Sequence, residues 1–393
     1  MKGRAVLKSL SVPAIAILLS LAAFAAIVLL TGKNPAVAFI GILEGSGWLP
    51  RSGYPLGSGQ LTDVFRTLDA LTPMMFASLA VAVAFRGGLF NIGVSGQMLF
   101  AGFVSTVTIG YSGLPSSAAF PLVIFVGASS GALAGGLIGL LKCRFNVNEV
   151  VSSIMLNFIF QYVISFFINT SYIDPVSRHS AAVGKDVCLT LTDVFIGGYI
   201  FRIPWALAIA LACAVLTLVF FTKSVRGFEM AAVGKNTRAA RYAGMSVERN
   251  ILVTMFLSGA FAGLAGVTYY LGYYDSIMPG TLSPMGFDAI ATASLGNMHP
   301  IGIIAAGVLV TSLGQGSTYM SNIAGVRPEI ASLVIGLILL FSACSYYIKY
   351  RLEGGAALRV GKKARGGKMA MNTAAAENEA LEDGRSGKEA GKT

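Results

Sequence analysis

Long apolar runs separated by short charged corners set the pattern of this chain. The runs lie near 10–30, 67–85, 89–111, 117–141, 150–169, 204–222, 251–271, 301–320 and 329–348. A helix rises about 1.5 Å per residue, so runs of roughly twenty residues cross a hydrocarbon core about 30 Å thick. The pattern predicts an all-α, polytopic bundle of transmembrane helices, with 1–348 as the membrane domain. The first run follows Lys2, Arg4 and Lys8, and Ala36-Val37-Ala38 resembles a cleavage site. At roughly 21 residues it is longer than a signal-peptide apolar region, so it is read as a retained span.

Composition points the same way. Hydrophobic residues make up 55% of the chain and charged residues 12%, against about 25% charged in an average soluble domain, so lipid is the solvent for most of it. The net charge of +11 does not mark a nucleic-acid partner, because Lys and Arg sit in short clusters between apolar runs and not on one basic face. Read as topology markers, these clusters place the N-terminus, Arg86, the 142–144 corner and the 223–250 loop in the cytoplasm. The tail after Ile348 opens with Lys349, Arg351, Arg359, Lys362, Lys363, Arg365 and Lys368 and belongs on the same side. Nine crossings would leave it outside.

The missing crossing is expected at 282–297, a short, semi-polar segment with Pro284 and Gly286 near its start and Gly296, His299 and Pro300 at its end. About ten crossings result, one of them a short or broken helix. Its Asp288, Thr292 and Ser294 should face protein, since unpaired polar groups in hydrocarbon cost several kcal/mol, and broken inward-facing helices line transport paths. A re-entrant packing element without substrate contact is the alternative. A second break falls at 86–97, where glycines and the polar Asn91, Ser95 and Gln97 interrupt apolar sequence. Close helix packing accounts for Gly131, Gly135, Gly136 and Gly139. It does not account for Asn91 or Gln97, which either line a path or satisfy backbone groups.

The two long outer loops, near 32–66 and 170–204, are too small to be binding domains. The tail, 349–393, is rich in Gly, Ala, Lys and Glu and is expected to be disordered in the cytoplasm, its basic proximal part near anionic lipid. Cys143, Cys188, Cys213 and Cys344 show no disulfide or metal spacing. Within the 223–250 loop, Asn236 is a candidate N-cap, 237–243 two helical turns, and Gly244 a left-handed C′ residue. So short a helix needs a docking surface, which a cytoplasmic partner would provide. No G-x-x-x-x-G-K-[ST] phosphate loop occurs, so nucleotide would be bound by another chain.

Four blocks carry a family resemblance: Gly88-Leu-Phe-Asn-Ile-Gly-Val-Ser-Gly-Gln97, Asn148-Glu-Val-Val-Ser-Ser-Ile-Met-Leu-Asn157, Ala232-Val-Gly-Lys-Asn-Thr-Arg-Ala-Ala-Arg-Tyr-Ala-Gly244, and Gly286-Phe-Asp-Ala-Ile-Ala291 followed by Leu295-Gly-Asn-Met-His-Pro300. Together they resemble the membrane permeases of bacterial ABC importers for nucleosides and simple sugars, related to ribose and branched-chain amino-acid permeases. The first block is similar to the nucleoside branch, whereas ribose-type permeases show a Gly-Gly-Ile-Asp-Leu-Ser-Val-Gly-like sequence there. The chain departs from its relatives at Ser95, where Glu is common, and near Asn297 and Met298, where a basic residue is frequent.

The resemblance implies a multi-pass protein of the bacterial cytoplasmic (inner) membrane, with no catalytic or metal site of its own. It implies a cytoplasmic ABC ATPase that binds ATP and Mg, a second permease subunit, a paralogue, and an extracytoplasmic substrate-binding protein. The coupling segment would include Gly227, Glu229, Gly234, Asn236, Ala239, Ala240 and Gly244. Asn91, Ser95, Gln97 and Asp288 are the candidates for the translocation path. The competing class is an ion-coupled secondary transporter, for which Asp288 with His299 beside it is the one suitably placed acid. A membrane enzyme is disfavoured, since His179 and His299 are the only histidines and form no catalytic grouping.

Overall fold

A computed structural model describes residues 2–51, 53–54 and 57–343. Residues 13–342 form one compact unit; the predicted tail, with Cys344, lies outside the described residues. In chain order the helices are α1 (Lys2–Leu30), α2 (Pro35–Gly45), α3 (Gln60–Arg86), α4 (Val94–Ser105), α5 (Ser116–Phe145), α6 (Glu149–Phe167), α7 (Ala206–Lys223), α8 (Val225–Lys235), α9 (Thr237–Tyr242), α10 (Val247–Thr268), α11 (Met285–Leu295), α12 (Pro300–Ala324) and α13 (Glu329–Ala343). Short π-helical turns extend α4 to Gly110, α6 to Tyr172 and α10 to Tyr273. Their boundaries have local causes. Asn148 caps α6 by accepting from the Val150 N–H at 2.8 Å, Asn146 ends α5 in the left-handed region, and Pro300 opens α12 where its missing N–H is harmless.

Helix α3 is the hub: 89% of its most apolar stretch is buried, against 28% for α6 and 22% for α7. The outer helices therefore turn large apolar side chains such as Phe158, Tyr162, Phe166 and Leu216 outward, as expected where the surroundings are lipid or another chain. The tightest pair is α5 with α10. A Cβ on Gly263 would stand 2.0 Å from the Gly127 carbonyl oxygen and one on Gly131 2.3 Å from that of Gly259, so only hydrogen at these positions lets the two backbones meet. The packing role expected for Gly131 and Gly135 is what these contacts impose.

The chain is a helical membrane protein, with one correction to its class and several details that the sequence did not show. The class is not purely α: the loop before α7 carries an antiparallel hairpin, β1 (Thr190–Ile196) and β2 (Tyr199–Pro204). Its two-residue turn is Gly197-Gly198, with φ +61° and +85°, the backbone that a tight hairpin demands. The loop after α1 also holds a helix, α2, bent 119° from α1. Among the described residues six helices are long and apolar enough to cross a membrane, or seven if the bent pair Ile15–Leu30 and Pro35–Gly45 counts as one. The 89–111 run is not one continuous helix, because 87–93 is non-helical and α4 starts only at Val94. The 282–297 segment yields only α11, about 16 Å long, half of a hydrocarbon core.

Candidate functional site

The break after α3 is held by side chains. Gly88 reverses the chain at φ +72°, and the segment returns into the bundle, where Asn91 is fully buried. The Asn91 amide donates to Ser258 Oγ on α10 at 2.9 Å and to Gln97 Oε1 at 3.0 Å, while its oxygen accepts from the Gly93 N–H at 2.9 Å. Ser258 in turn donates to the Ala80 carbonyl at 2.8 Å. Asn91 and Gln97 thus tie the non-helical turn to α3 and α10. One residue of this constellation escaped the sequence reading. Asn157, on α6, accepts from the Gly96 N–H at 2.9 Å and donates to the Ile92 carbonyl at 3.0 Å, so it serves both backbone groups freed by the break. Its place at the end of the 148–157 block was the only signal.

The second break meets the first. Ser95 is buried and its hydroxyl donates to the Ser283 carbonyl at 2.9 Å, just before α11. A Cβ on Gly286 would stand 2.2 Å from Ser95 Oγ. Asp288, in the first turn of α11, is half-buried. At the other end of α11, Asn297 and Met298 both have φ +53° and reverse the chain into α12. Arg86, the last residue of α3, fixes that reversal: its Nε donates to the Met298 carbonyl at 3.3 Å and its guanidinium lies 5.1 Å above the Phe221 ring of α7.

The 223–250 loop contains two helices, not one. Ser224 caps α8 by accepting from the Gly227 N–H at 3.0 Å, and Asn236 caps α9 by accepting from the Ala239 N–H at 3.0 Å. Gly244 has φ +80° and its N–H bonds the Arg241 carbonyl, so α9 ends where its sequence says. Gly227 and Gly234 are contact glycines. A Cβ on Gly227 would stand 2.2 Å from the Phe220 carbonyl oxygen, and one on Gly234 2.4 Å from that of Arg86. Glu229 lies 3.4 Å from the Asn250 amide, which joins α8 to α10. Ala239 is exposed. Ala240, expected in the coupling segment, is 4% exposed and packs with Val233 and Val247. So short a helix thus has one apolar contact within its own chain. The exposed side carries Arg238, Arg241, Ala243 and Tyr242, the last 94% exposed.

At the opposite end of α7 and α10 lies a polar cluster that sequence reasoning missed. Asp69, 2% exposed on α3, pairs with Arg202 Nε of β2 at 3.0 Å and accepts from Thr190 Oγ1 of β1 at 2.7 Å. Arg202 also donates to the Gly272 and Tyr273 carbonyls, and Gln315 of α12 donates to the Tyr273 hydroxyl at 2.7 Å. Beside this cluster is a cavity of about 430 Å³. A second, of about 280 Å³, shares Tyr274 with it and reaches Ser283. The repeated tyrosines at 269–274 were the available sequence signal.

The geometry thus has two broken segments joined to each other, the 223–250 loop packed under one of them, and two cavities beside a polar cluster at the far end. Comparison with known proteins fits that arrangement. Residues 64–343 match the family described as branched-chain amino acid transport system / permease component. The chain is 37% identical to the guanosine ABC transporter permease protein NupP of Bacillus subtilis, covering 88% of this chain and 96% of that one. It is 32% identical to the nucleoside ABC transporter permease protein NupB of Lactococcus lactis, over 88% and 94%. It is 30% identical to the glucose ABC transporter permease protein TsgB13 of Haloferax volcanii, over 74% and 80%. With apolar helices of spanning length and a family match across most of its length, the chain belongs to the permease components of the branched-chain amino acid transport system family and is an integral membrane protein.

Proposed function

We propose that this chain is the permease subunit of an ATP-driven nucleoside importer in a bacterial cytoplasmic (inner) membrane. The observation that carries the substrate is the pair of near full-length relatives, 37% and 32% identical, whose names specify guanosine and nucleosides. The glucose permease relative, at 30%, favours a simple-sugar reading as the alternative. Orientation rests on the basic clusters: the 223–250 loop and both termini are cytoplasmic, and the cavities beside Asp69 and Tyr274 face outward.

Ten crossings are supported by where the broken segments meet their neighbours. The 87–93 turn and α4 together run from Arg86 past Ser258, in the middle of α10, to Gly110. The non-helical 274–284 stretch and α11 together run from the far end of α10 back to Arg86. Counted with α1, α3, α5, α6, α7, α10, α12 and α13, these two make ten. The junction of Ser95 with Ser283, with Asp288 one helical turn away, is where the path is proposed to cross the membrane. The 223–250 loop docks the cytoplasmic ATPase, which binds ATP and Mg. The complex is completed by a second permease subunit and an extracytoplasmic binding protein.

Uptake of radiolabelled guanosine by cells carrying the complete system tests the substrate. Unlabelled nucleosides should compete and free ribose should not. Competition by ribose or glucose alone would overturn the nucleoside assignment while leaving the importer class in place. Single cysteines at Thr237 and Gly367 should resist an impermeant thiol reagent in intact cells; labelling of either reverses its assigned side.

A further inference from the structure

We infer that the cavity of about 430 Å³ beside Asp69 is an acceptor site for the uncharged nucleoside at the outer mouth, with the base against the Tyr273 and Tyr274 rings and the sugar toward Gln315 and Thr192. The inference rests on the nucleoside reading above and adds to it a site and its residues.

The volume lies within the range of small-molecule sites, roughly 300–1,000 Å³. Its walls are fixed before any ligand arrives, as a binding site requires. Thr190 and Arg202 hold the hairpin to Asp69 on α3, Arg202 holds the Gly272 and Tyr273 carbonyls at 3.1 and 2.8 Å, and Gln315 holds the Tyr273 hydroxyl. Asp69, Arg202, Gly272, Tyr273 and Gln315, from α3, β2, the end of α10 and α12, thereby converge on one space. A hairpin needed only to cover a helix end would not require a buried Asp on α3 and an Arg on β2 to face each other beside an open cavity.

The chemistry of the walls selects the ligand class. The cavity is lined by Arg66, Lys185 and Arg202 and by Asp69 and Asp275, with Asp69 and Arg202 offsetting one another, so its walls carry charges of both signs beside hydrogen-bonding groups. The Tyr273 and Tyr274 rings are perpendicular, with centroids 4.8 Å apart, so one offers a face where the other offers an edge. Stacking of a base on an aromatic ring is worth on the order of tenfold in affinity, which free ribose forgoes. The Gln315 amide and the Thr192 hydroxyl are wall groups able to bond sugar hydroxyls. Tyr274 also walls the smaller cavity that reaches Ser283, whose carbonyl Ser95 holds. A nucleoside in the outer cavity is therefore one aromatic ring away from the junction of the two broken segments.

Thiol protection tests the site. Native Cys188 lines the same cavity, but burial pushes its thiol up and slows its reaction, so the probe is Thr192→Cys in a background without the native cysteines. The complete complex, reconstituted in lipid nanodiscs without the binding protein, is labelled with a maleimide in the presence of guanosine, ribose or guanosine monophosphate. Guanosine should slow labelling several-fold and ribose should not, and adding Tyr274→Leu should raise the half-protecting concentration about tenfold. Absence of protection by guanosine, with guanosine uptake by the parent complex intact, overturns the site and leaves the nucleoside reading standing. Equal protection by guanosine monophosphate overturns the uncharged ligand class. If ribose competes for uptake and guanosine does not, the nucleoside reading fails, and the acceptor site with it.

Discussion

Gly234 offers the sharpest test of how the cytoplasmic loop is connected to the membrane breaks. A Cβ there would lie 2.4 Å from the Arg86 carbonyl oxygen, 2.6 Å from the Gly87 carbonyl carbon and 2.6 Å from the Gly88 nitrogen. All three are backbone atoms, so no flexible side chain can yield, and ordinary contact is restored only if α8 moves away by about 1 Å. The opposing residue cannot adapt either, because a Cβ on Gly88 would stand 2.6 Å from Gly234 Cα and Gly88 sits at φ +72°. Overpacking of this kind costs about 1–3 kcal/mol, a shift of roughly 5- to 150-fold in the seated against the unseated loop. The displaced turn is the one whose Arg86 holds the α11–α12 reversal at Met298. Gly234→Ala should therefore leave the membrane domain inserted while reducing substrate-stimulated ATP hydrolysis by the reconstituted complex at least several-fold. The assay pairs membrane abundance with stimulated hydrolysis. Stimulation and uptake at parental levels, at parental abundance, would refute the argument that motion passes through this contact.

Other outcomes follow from the same geometry. Asn157→Leu strands the buried Gly96 N–H and Ile92 carbonyl, at about 1–3 kcal/mol each, and should lower the thermal stability of the detergent-extracted protein, whereas Asn157→Asp, which keeps the acceptor, should lower it less. Gly263→Ala, with a Cβ 2.0 Å from the Gly127 carbonyl oxygen, should abolish accumulation, while Gly314→Ala, with nothing within 4 Å, should leave it unchanged; immunoblots of membranes read both. Ala240→Trp should reduce abundance, because Ala240 is enclosed by Val233 and Val247, but Ala243→Trp, on the exposed side, should keep abundance and lower stimulated hydrolysis. Asp69→Asn leaves Arg202 without its counter-charge at a buried site and should destabilise the hairpin, read as faster proteolysis of the 190–204 segment.

The features that sequence alone determined are those set by neighbours along the chain. The length of the apolar runs marked the six spanning helices that the structure keeps whole, because rise per residue and hydrocarbon thickness set how many residues a crossing needs. Asn236 and Gly244 fixed the ends of α9, since a cap acts on N–H and carbonyl groups within four residues. The two breaks, 86–97 and 282–297, were legible as interruptions in apolar sequence. The hairpin could have been read from Gly197-Gly198, a turn signal hidden inside a loop treated as featureless.

Tertiary structure decided what the local signals could not. Asn91 and Gln97 look alike as polar residues in an apolar run whether they line water or pair with each other. Only the approach of Ser258, 167 residues away, makes them a buried network. Ala240 could face out or in by its helical register, and the neighbouring Val233 and Val247 settle it. Asp69 and Arg202 are separated by most of the membrane domain's first half, and their pairing exists because α3 and β2 are brought side by side. In each case the deciding quantity is a distance between elements, as it is where Gly131 and Gly263 let α5 meet α10 and Gly234 lets α8 meet the 86–88 turn. The sequence displays those glycines without saying which backbone each of them admits.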